Sequence, residues 1–217
     1  MHRLLPGICE FSESIFPAHR DQFEKLASGQ QPTSLFITCS DSRIVPELLT
    51  QTSPGELFVL RNAGNLVTPC SPAPSGEGAT IEYALRVLRV EEMIVCGHSH
   101  CGAIGGLLRP QAIVGLPHVE KWLSYAERIW DEIADQRLIT DGDDDILTAA
   151  IKANVLVQIQ HLRTYPAVAA AEAEGQLHLH GYFYRFETGE VTVLDEPGRR
   201  FVPIASIVDT RAMAGRV

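Results

Sequence analysis

Short apolar runs and longer amphipathic stretches alternate along the chain, and this pattern predicts its secondary structure. Three short runs rich in β-branched and aromatic residues predict buried strands: SLFITC (34–39), ELFVL (56–60) and EMIVC (92–96). Stretches with apolar residues at helical spacing lie between them and after them. Strands that alternate with helices in this way indicate a mostly parallel sheet with helices on its faces.

Helical periodicity appears first near the N-terminus. Residues 8–28 predict one or two amphipathic helices that break near Pro17 and end at Gly29, a residue type that commonly closes helices. Further helices are predicted at 45–51, at 79–90, from Cys101 onwards, and at 117–138, 146–164 and 166–174.

The run LHLHGYFYRFETGEVTVLD (177–195) alternates apolar and polar residues on both sides of Thr188-Gly189. Alternation around such a turn predicts an antiparallel pair near a sheet edge. The predicted fold class is therefore α/β, with a mostly parallel central sheet of about four parallel strands plus an antiparallel edge strand, flanked by helices. The length fits a single domain over residues 1–217.

Composition and charge exclude several classes of partner. The chain is 45% hydrophobic and 21% charged, which is typical of a globular domain, and its formal net charge is −9. An acidic surface repels nucleic acid and anionic membranes, so neither is expected as a partner. The segment MHRLLPGICEFSES has no apolar stretch followed by a small-residue cleavage site. A cytoplasmic location is therefore expected.

Potential metal ligands follow two of the predicted strands. Cys39 ends the first strand, and the cluster VCGHSHCG, which holds Cys96, His98, His100 and Cys101, follows the third. Functional sites in open α/β sheets gather at the carboxyl ends of the strands. The chain has five cysteines, and in a reducing compartment metal binding or burial is a better explanation for them than disulfides.

Within the cluster, His98 and Cys101 have the spacing that lets two side chains converge on one ion, and Cys39 is the obvious third ligand. His100 is expected to diverge from the neighbouring Cys101, and Cys96 fits a core position at the end of an apolar strand.

Asp41 and Arg43 follow Cys39 in the segment CSDSR. Asp41 has two possible uses, as a fourth ligand or as an acceptor that orients a metal-bound water. Arg43 could bind that carboxylate with two hydrogen bonds and draw it away from the metal. The alternative is a purely structural ion pair that stabilises the turn.

The order and spacing of six segments resemble those of the β-class carbonic anhydrases, most fully their cyanobacterial members. The segments are CSDSR (39–43), GELFVLRNAGN (55–65), GATIEYAL (78–85), GHSHCGA (97–103), NVLVQIQHL (154–162) and LHGYFYRFETGEV (179–191).

The resemblance implies one Zn²⁺ per chain, held by Cys39, His98 and Cys101, and reversible hydration of CO2 to bicarbonate and a proton through zinc-bound hydroxide. It also implies that Asp41 and Arg43 form a dyad, with Asp41 on zinc in a closed state and on Arg43 in an open one. A substrate pocket lined by Gln30, Phe58, Ala63, Tyr83 and the backbone N–H of Gly102, partly across a dimer interface, is expected by the same likeness.

The resemblance further implies a homo-oligomer with a dimer as its minimum unit and a helical N-terminal arm (1–30) that packs on the partner. Association with carboxysomes is an additional expectation. His100 is a candidate for exporting the proton, although a histidine that bonds the loop is an equal alternative.

Three other functions remain open. The first is hydrolysis of CS2 or COS on the same fold. The second is a structural zinc or scaffold protein without turnover, with Asp41 or Cys96 as a permanent fourth ligand. The third is thiol chemistry with Cys39 or Cys101 as the nucleophile.

Overall fold

The computed structural model describes residues 3–134 and 145–207, which form one six-stranded sheet with helices around it. The strand order is β2-β1-β3-β4-β5-β6. Strands β2, β1, β3 and β4 run parallel, whereas β5 pairs antiparallel with β4 and β6 pairs antiparallel with β5. The strands are β1 Ser34–Cys39, β2 Leu57–Asn62, β3 Glu92–His98, β4 His178–Tyr184, β5 Val191–Asp195 and β6 Arg200–Pro203.

The helices occupy the connections between the strands and the N-terminal arm. They are α1 Leu5–Glu10, α2 Phe16–Ala18, α3 Arg20–Leu26, α4 Pro46–Thr50, α5 Gly76–Tyr83, α6 Gly102–Leu108, α7 Pro117–Leu123, α8 Ile129–Ala134, α9 Ile146–Leu162 and α10 Pro166–Ala173. A π-helical turn, Phe11–Ile15, joins α1 to α2, and another, Ala84–Leu88, extends α5. Within the described ranges, none of the helices combines the length and apolarity that a membrane span requires.

The predicted fold class is confirmed, and the antiparallel part of the sheet has one strand more than expected, β6. The break expected near Pro17 lies at His19, whose backbone leaves the helical region. The helix predicted at 117–138 is divided, because a 3-10 turn, Ser124–Ala126, follows α7. Residues 135–138 of that prediction lie outside the described residues.

The main core lies between the sheet and α9, most of whose residues are buried. Two strand glycines allow this close approach. A Cβ on Gly97 of β3 would lie 2.9 Å from Ile151, and one on Gly181 of β4 would lie 2.8 Å from Val155. Such distances are shorter than van der Waals contact, so any larger residue would push the helix away. A smaller apolar cluster around Phe36 packs separately from this core.

The sheet order positions the predicted ligands. β1 and β3 are neighbouring parallel strands in the middle of the sheet, with Thr38 opposite Cys96. Both strands therefore end at the same edge of the sheet, and the segments that follow them meet there.

Candidate metal centre

Three predicted ligands converge where β1 and β3 end. Cys39 is the last residue of β1, His98 is the last residue of β3, and Cys101 directly precedes α6. Their ligand atoms all lie within 4.8 Å of one another, and all three side chains are buried. The two sulfur atoms are 3.9 Å apart. The sheet therefore brings together residues that are 62 positions apart in sequence.

The donor set fits a tetrahedral zinc ion. With Zn–S bonds of about 2.3 Å, two thiolates on one tetrahedral ion are about 3.8 Å apart, close to the separation of Cys39 and Cys101. Nδ1 of His98 donates to the carbonyl oxygen of Ser99 at 2.9 Å. Nε2 of His98 is buried and has no hydrogen-bond partner among the described residues. Because Nδ1 carries the proton, Nε2 presents a lone pair, as a metal-binding histidine does.

Electrostatics favour one thiolate in this pair. A hydrogen bond from the Cys101 thiol, aided by backbone N–H groups, lowers the pKa of Cys39 to about 4, although burial opposes the shift. One of the backbone donors is the N–H of Gly64, 3.3 Å from the sulfur. The same hydrogen bond and burial raise the pKa of Cys101. The site thus stabilises negative charge on sulfur, which a cation would complement.

Asp41 and Arg43 form the bidentate pair that the sequence suggested. Nε of Arg43 donates to Oδ1 of Asp41 at 2.9 Å, and Nη2 donates to Oδ2 at 2.7 Å. These bonds hold the pKa of Asp41 well below the usual range of a carboxyl group. Oδ2 also lies 4.0 Å from Nε2 of His98, so the carboxylate borders the candidate site.

A second arginine fixes the backbone that carries these groups. Nε of Arg61 donates to the carbonyl of Cys39 at 3.0 Å, and Nη2 donates to the carbonyl of Asp41 at 2.6 Å. Because Arg61 is itself on β2, it ties the segment after β1 to the neighbouring strand.

The five predicted pocket residues divide into two groups. Ala63 and Gly102 lie beside the ligands. Ala63 directly precedes Gly64, whose N–H donates to the Cys39 sulfur, and Gly102 directly follows Cys101.

Phe58 and Tyr83 contact each other, with ring centroids 5.9 Å apart, but Phe58 pairs with Leu35 near the start of β1. At about 3.3 Å per residue, Phe58 is about 13 Å from Asn62, which pairs with Cys39. Gln30 precedes β1 altogether. Gln30, Phe58 and Tyr83 therefore do not reach the metal centre of their own chain.

His100 and Cys96 lie away from the ligand atoms. His100 adopts a left-handed backbone (φ 56°), and its exposed imidazole donates from Nε2 to Glu187. Cys96 is fully buried beside Phe36 and Ile94, and burial raises the pKa of its thiol to about 12. Cys96 is therefore a core residue. The imidazole of His100 bonds Glu187 and does not face the candidate metal position.

Two residues that contact the site were missed by the sequence reasoning. Phe186 lies against His98, with ring centroids 5.0 Å apart, and Glu187 accepts hydrogen bonds from Ser99 and His100. Both follow the end of β4, a parallel strand beside β3. The rule that parallel strands end at one edge was a signal that could have identified them.

Comparison with known proteins places these motifs in a family. The sequence model of the carbonic anhydrase family matches residues 34–191. A carbonic anhydrase of Synechococcus elongatus is 48% identical over 197 residues, which cover 88% of this chain and 70% of the relative. A carbonic anhydrase of Pseudomonas aeruginosa is 43% identical over 215 residues, covering 99% of this chain and 97% of the relative.

Solved structures agree with the sequence matches. The β-carbonic anhydrase CcaA superposes with a TM-score of 0.86 at 46% identity, over 94% of this chain and 91% of that one. A tetrameric β-carbonic anhydrase from Sordaria macrospora has a TM-score of 0.75 at 31% identity, over 89% and 96% of the two chains. The extent of these matches, together with the two motifs at the ends of β1 and β3, leads to one conclusion: the chain belongs to the β-class carbonic anhydrases and is a lyase of that family.

Proposed function

We propose that this chain hydrates CO2 reversibly to bicarbonate and a proton, using one Zn²⁺ held by Cys39, His98 and Cys101. The observation that carries the proposal is the convergence of two buried thiols and a buried imidazole nitrogen that lacks a partner in the described part of the chain. Bound zinc supplies an ionised water near neutral pH, a nucleophile strong enough to attack CO2.

Asp41 orients that nucleophile. Its carboxylate stays ionised because two hydrogen bonds from Arg43 stabilise the charge. An ionised carboxylate can only accept hydrogen bonds, so Asp41 would accept one from the nucleophile and thereby turn a lone pair of that oxygen towards CO2. In this arrangement Asp41 is bound to Arg43, which corresponds to the open state of the dyad. A closed state would instead place Asp41 on the metal as a fourth ligand.

A second subunit completes the pocket. Ala63 and the N–H of Gly102 come from the same chain as the ligands, whereas Gln30, Phe58 and Tyr83 are supplied by the partner. Their position towards the opposite end of the strands supports this division. CO2 is apolar, so a pocket with phenyl and phenol walls suits it.

The N-terminal arm supports a homodimer as the minimum unit. Four apolar side chains along α1 and the following turn are between 43% and 58% exposed in the single chain, namely Leu5, Ile8, Phe11 and Ile15. Such a contiguous apolar surface is typical of a subunit contact. The proposed location is the cytoplasm, and association with carboxysomes stays a prediction.

The test combines metal analysis with stopped-flow CO2 hydration from about pH 6.5 to 9, a range around the pKa near 7 expected for zinc-bound water. We expect one zinc per chain and a rate well above the buffer background. Zinc with background rates at every pH would contradict the enzyme proposal and favour a structural site. The same protein assayed with CS2 and COS separates hydrolysis of those substrates from CO2 hydration.

Thiol chemistry makes a different prediction. If Cys39 or Cys101 were the nucleophile, metal-free protein would keep its activity and one equivalent of iodoacetamide would abolish it. We expect metal-free protein to be inactive and zinc to restore it.

A further inference from the structure

The turn after β4 is fastened to the loop that carries the metal ligands. The N–H of Ser99 donates to the carbonyl of Tyr184 at 2.8 Å, and the N–H of Phe186 donates to Oγ of Ser99 at 2.9 Å. Oγ of Ser99 in turn donates to Glu187 at 2.9 Å. Ser99 is nearly fully buried, so these bonds are shielded from water. They fix the position of Phe186 relative to His98.

The Phe186 ring contacts both His98, a candidate metal ligand, and Arg43, which binds Asp41. Its centroid is 5.0 Å from that of the His98 imidazole. On the same ring, Cζ of Arg43 lies 4.7 Å from the centroid, within the range of a cation–π contact. Tyr184 packs edge-on against Phe186 with centroids 5.2 Å apart, which restricts the ring further. One aromatic side chain thus links a metal ligand to the arginine that binds Asp41.

Arg43 depends on such contacts for its orientation. Its side chain is 51% exposed, and a long exposed arginine samples several rotamers. Apart from Asp41, the described residues that orient its guanidinium are the carbonyl of His100, 3.1 Å from Nη2, and the Phe186 ring. A guanidinium stacks well on an aromatic face while its N–H groups keep their hydrogen bonds. The ring therefore favours the rotamer in which Arg43 meets Asp41.

Asp41 is close enough to compete for the metal. Its Oδ2 is 4.0 Å from Nε2 of His98, whereas an oxygen and a nitrogen ligand on one tetrahedral ion are about 3.4 Å apart. A small rotation of the carboxylate would bring it into that shell. The two hydrogen bonds from Arg43 oppose this rotation because Asp41 would have to give them up.

We propose that Phe186 is a positioning residue that keeps Arg43 on Asp41 and thereby keeps Asp41 off the fourth position of the metal. The inference rests on the metal site proposed above. Removal of the ring weakens the hold of Arg43, and the population shifts towards the form in which Asp41 binds the metal. An exogenous anion then has to displace a carboxylate, so its apparent affinity falls by the fraction of open sites that is lost.

The test uses full-length protein loaded with Co²⁺ in place of zinc, with azide as the probe of the fourth position. Azide affinity is measured from the visible absorption of cobalt, which is also recorded without azide. Phe186→Leu keeps apolar volume but removes the ring, and Phe186→Met is a second ring-free variant should the leucine variant fail to fold. Phe186→Tyr, which keeps the ring, is the matched control.

We expect azide to bind the ring-free variant about two- to fivefold more weakly than wild type, the range that a cation–π contact at a half-exposed arginine supports. Its cobalt spectrum without azide should also change, whereas Phe186→Tyr should match wild type in both. Bound cobalt with wild-type azide affinity in the ring-free variant would overturn this inference alone. A wild-type protein that binds no cobalt would overturn the metal site and this inference together.

Discussion

His98 and His100 are two positions apart, yet their imidazoles have different surroundings. That of His98 is buried among two thiols, with Nδ1 hydrogen-bonded and Nε2 without a partner in the described residues. That of His100 is exposed and bonded to Glu187. The difference arises because His98 still belongs to β3, whereas His100 adopts the left-handed conformation that turns the chain towards α6.

These surroundings lead to a prediction at the residue scale. His98→Ala should lose nearly all bound zinc, because two thiolates alone do not make a three-ligand site. His100→Ala, the matched control, should keep about one zinc per chain. Both are measured by elemental analysis after dialysis against a weak chelator. If the His100 variant lost its zinc and the His98 variant kept it, His100 rather than His98 would be the ligand.

The three ligand candidates could be found from sequence because their residue types follow two predicted strands of one sheet. The structure brings the ligand atoms of those three side chains within 4.8 Å of one another. The same rule could place Phe186 at this edge of the sheet, but not its contact with Arg43, because that contact depends on the conformations of two separate loops.

At the scale of elements, α9 carries a buried polar row through an apolar core. Nδ2 of Asn154 donates to the carbonyl of Gly64 at 2.9 Å, and Nε2 of Gln158 donates to Oδ1 of Asn154 at 2.9 Å. Oε1 of Gln158 accepts from the N–H of Val67 at 2.8 Å. The helix therefore holds the loop after β2, and Gly64 of that loop donates to the Cys39 sulfur.

Gln158→Leu should destabilise the fold. The substitution keeps the volume but leaves the buried N–H of Val67 without its acceptor, which lowers the free energy of unfolding by about 1–3 kcal/mol. Gln176→Leu is the control, because Gln176 is exposed. Urea denaturation followed by circular dichroism measures both variants. Equal midpoints for the two variants would mean that the polar row adds nothing to stability.

The elements themselves were predictable to different degrees. β1 occupies 34–39 as expected, because a compact apolar run has clear ends. The first helix begins at Leu5 rather than at 8, and Pro6 lies in its first turn, where a proline fits because the N–H groups have no intrahelical acceptor. Helical spacing alone did not show that 117–138 divides after Leu123.

At the scale of the whole molecule, the proposed pocket needs a second chain. Gln30, Phe58 and Tyr83 are remote from the metal centre of their own chain, and the N-terminal arm exposes apolar side chains. The resemblance predicts a pocket shared across a dimer interface, but it does not say which pocket residues are remote from the ligands of their own chain, because a sequence carries no distances.

Ile8→Asp combined with Ile15→Asp should weaken the dimer, because the change places two charges on the apolar surface of the arm. CO2 hydration should fall with it, while zinc content stays near one per chain. Val114→Asp is the control, since Val114 is an exposed apolar residue outside the arm. Analytical ultracentrifugation measures the oligomeric state. A wild-type monomer with full activity would contradict the shared pocket.

The position of β1 and β3 in the middle of the sheet also bears on how quickly a bound metal exchanges. Cys39 and His98 end strands that are hydrogen-bonded on both sides, so neither can withdraw without disrupting the sheet. Cys101 precedes α6 at the end of a short loop, and local opening of loops requires far less energy than disruption of central strands. We therefore expect Cys101 to leave the ion first, so that metal exchange proceeds ligand by ligand from the loop side.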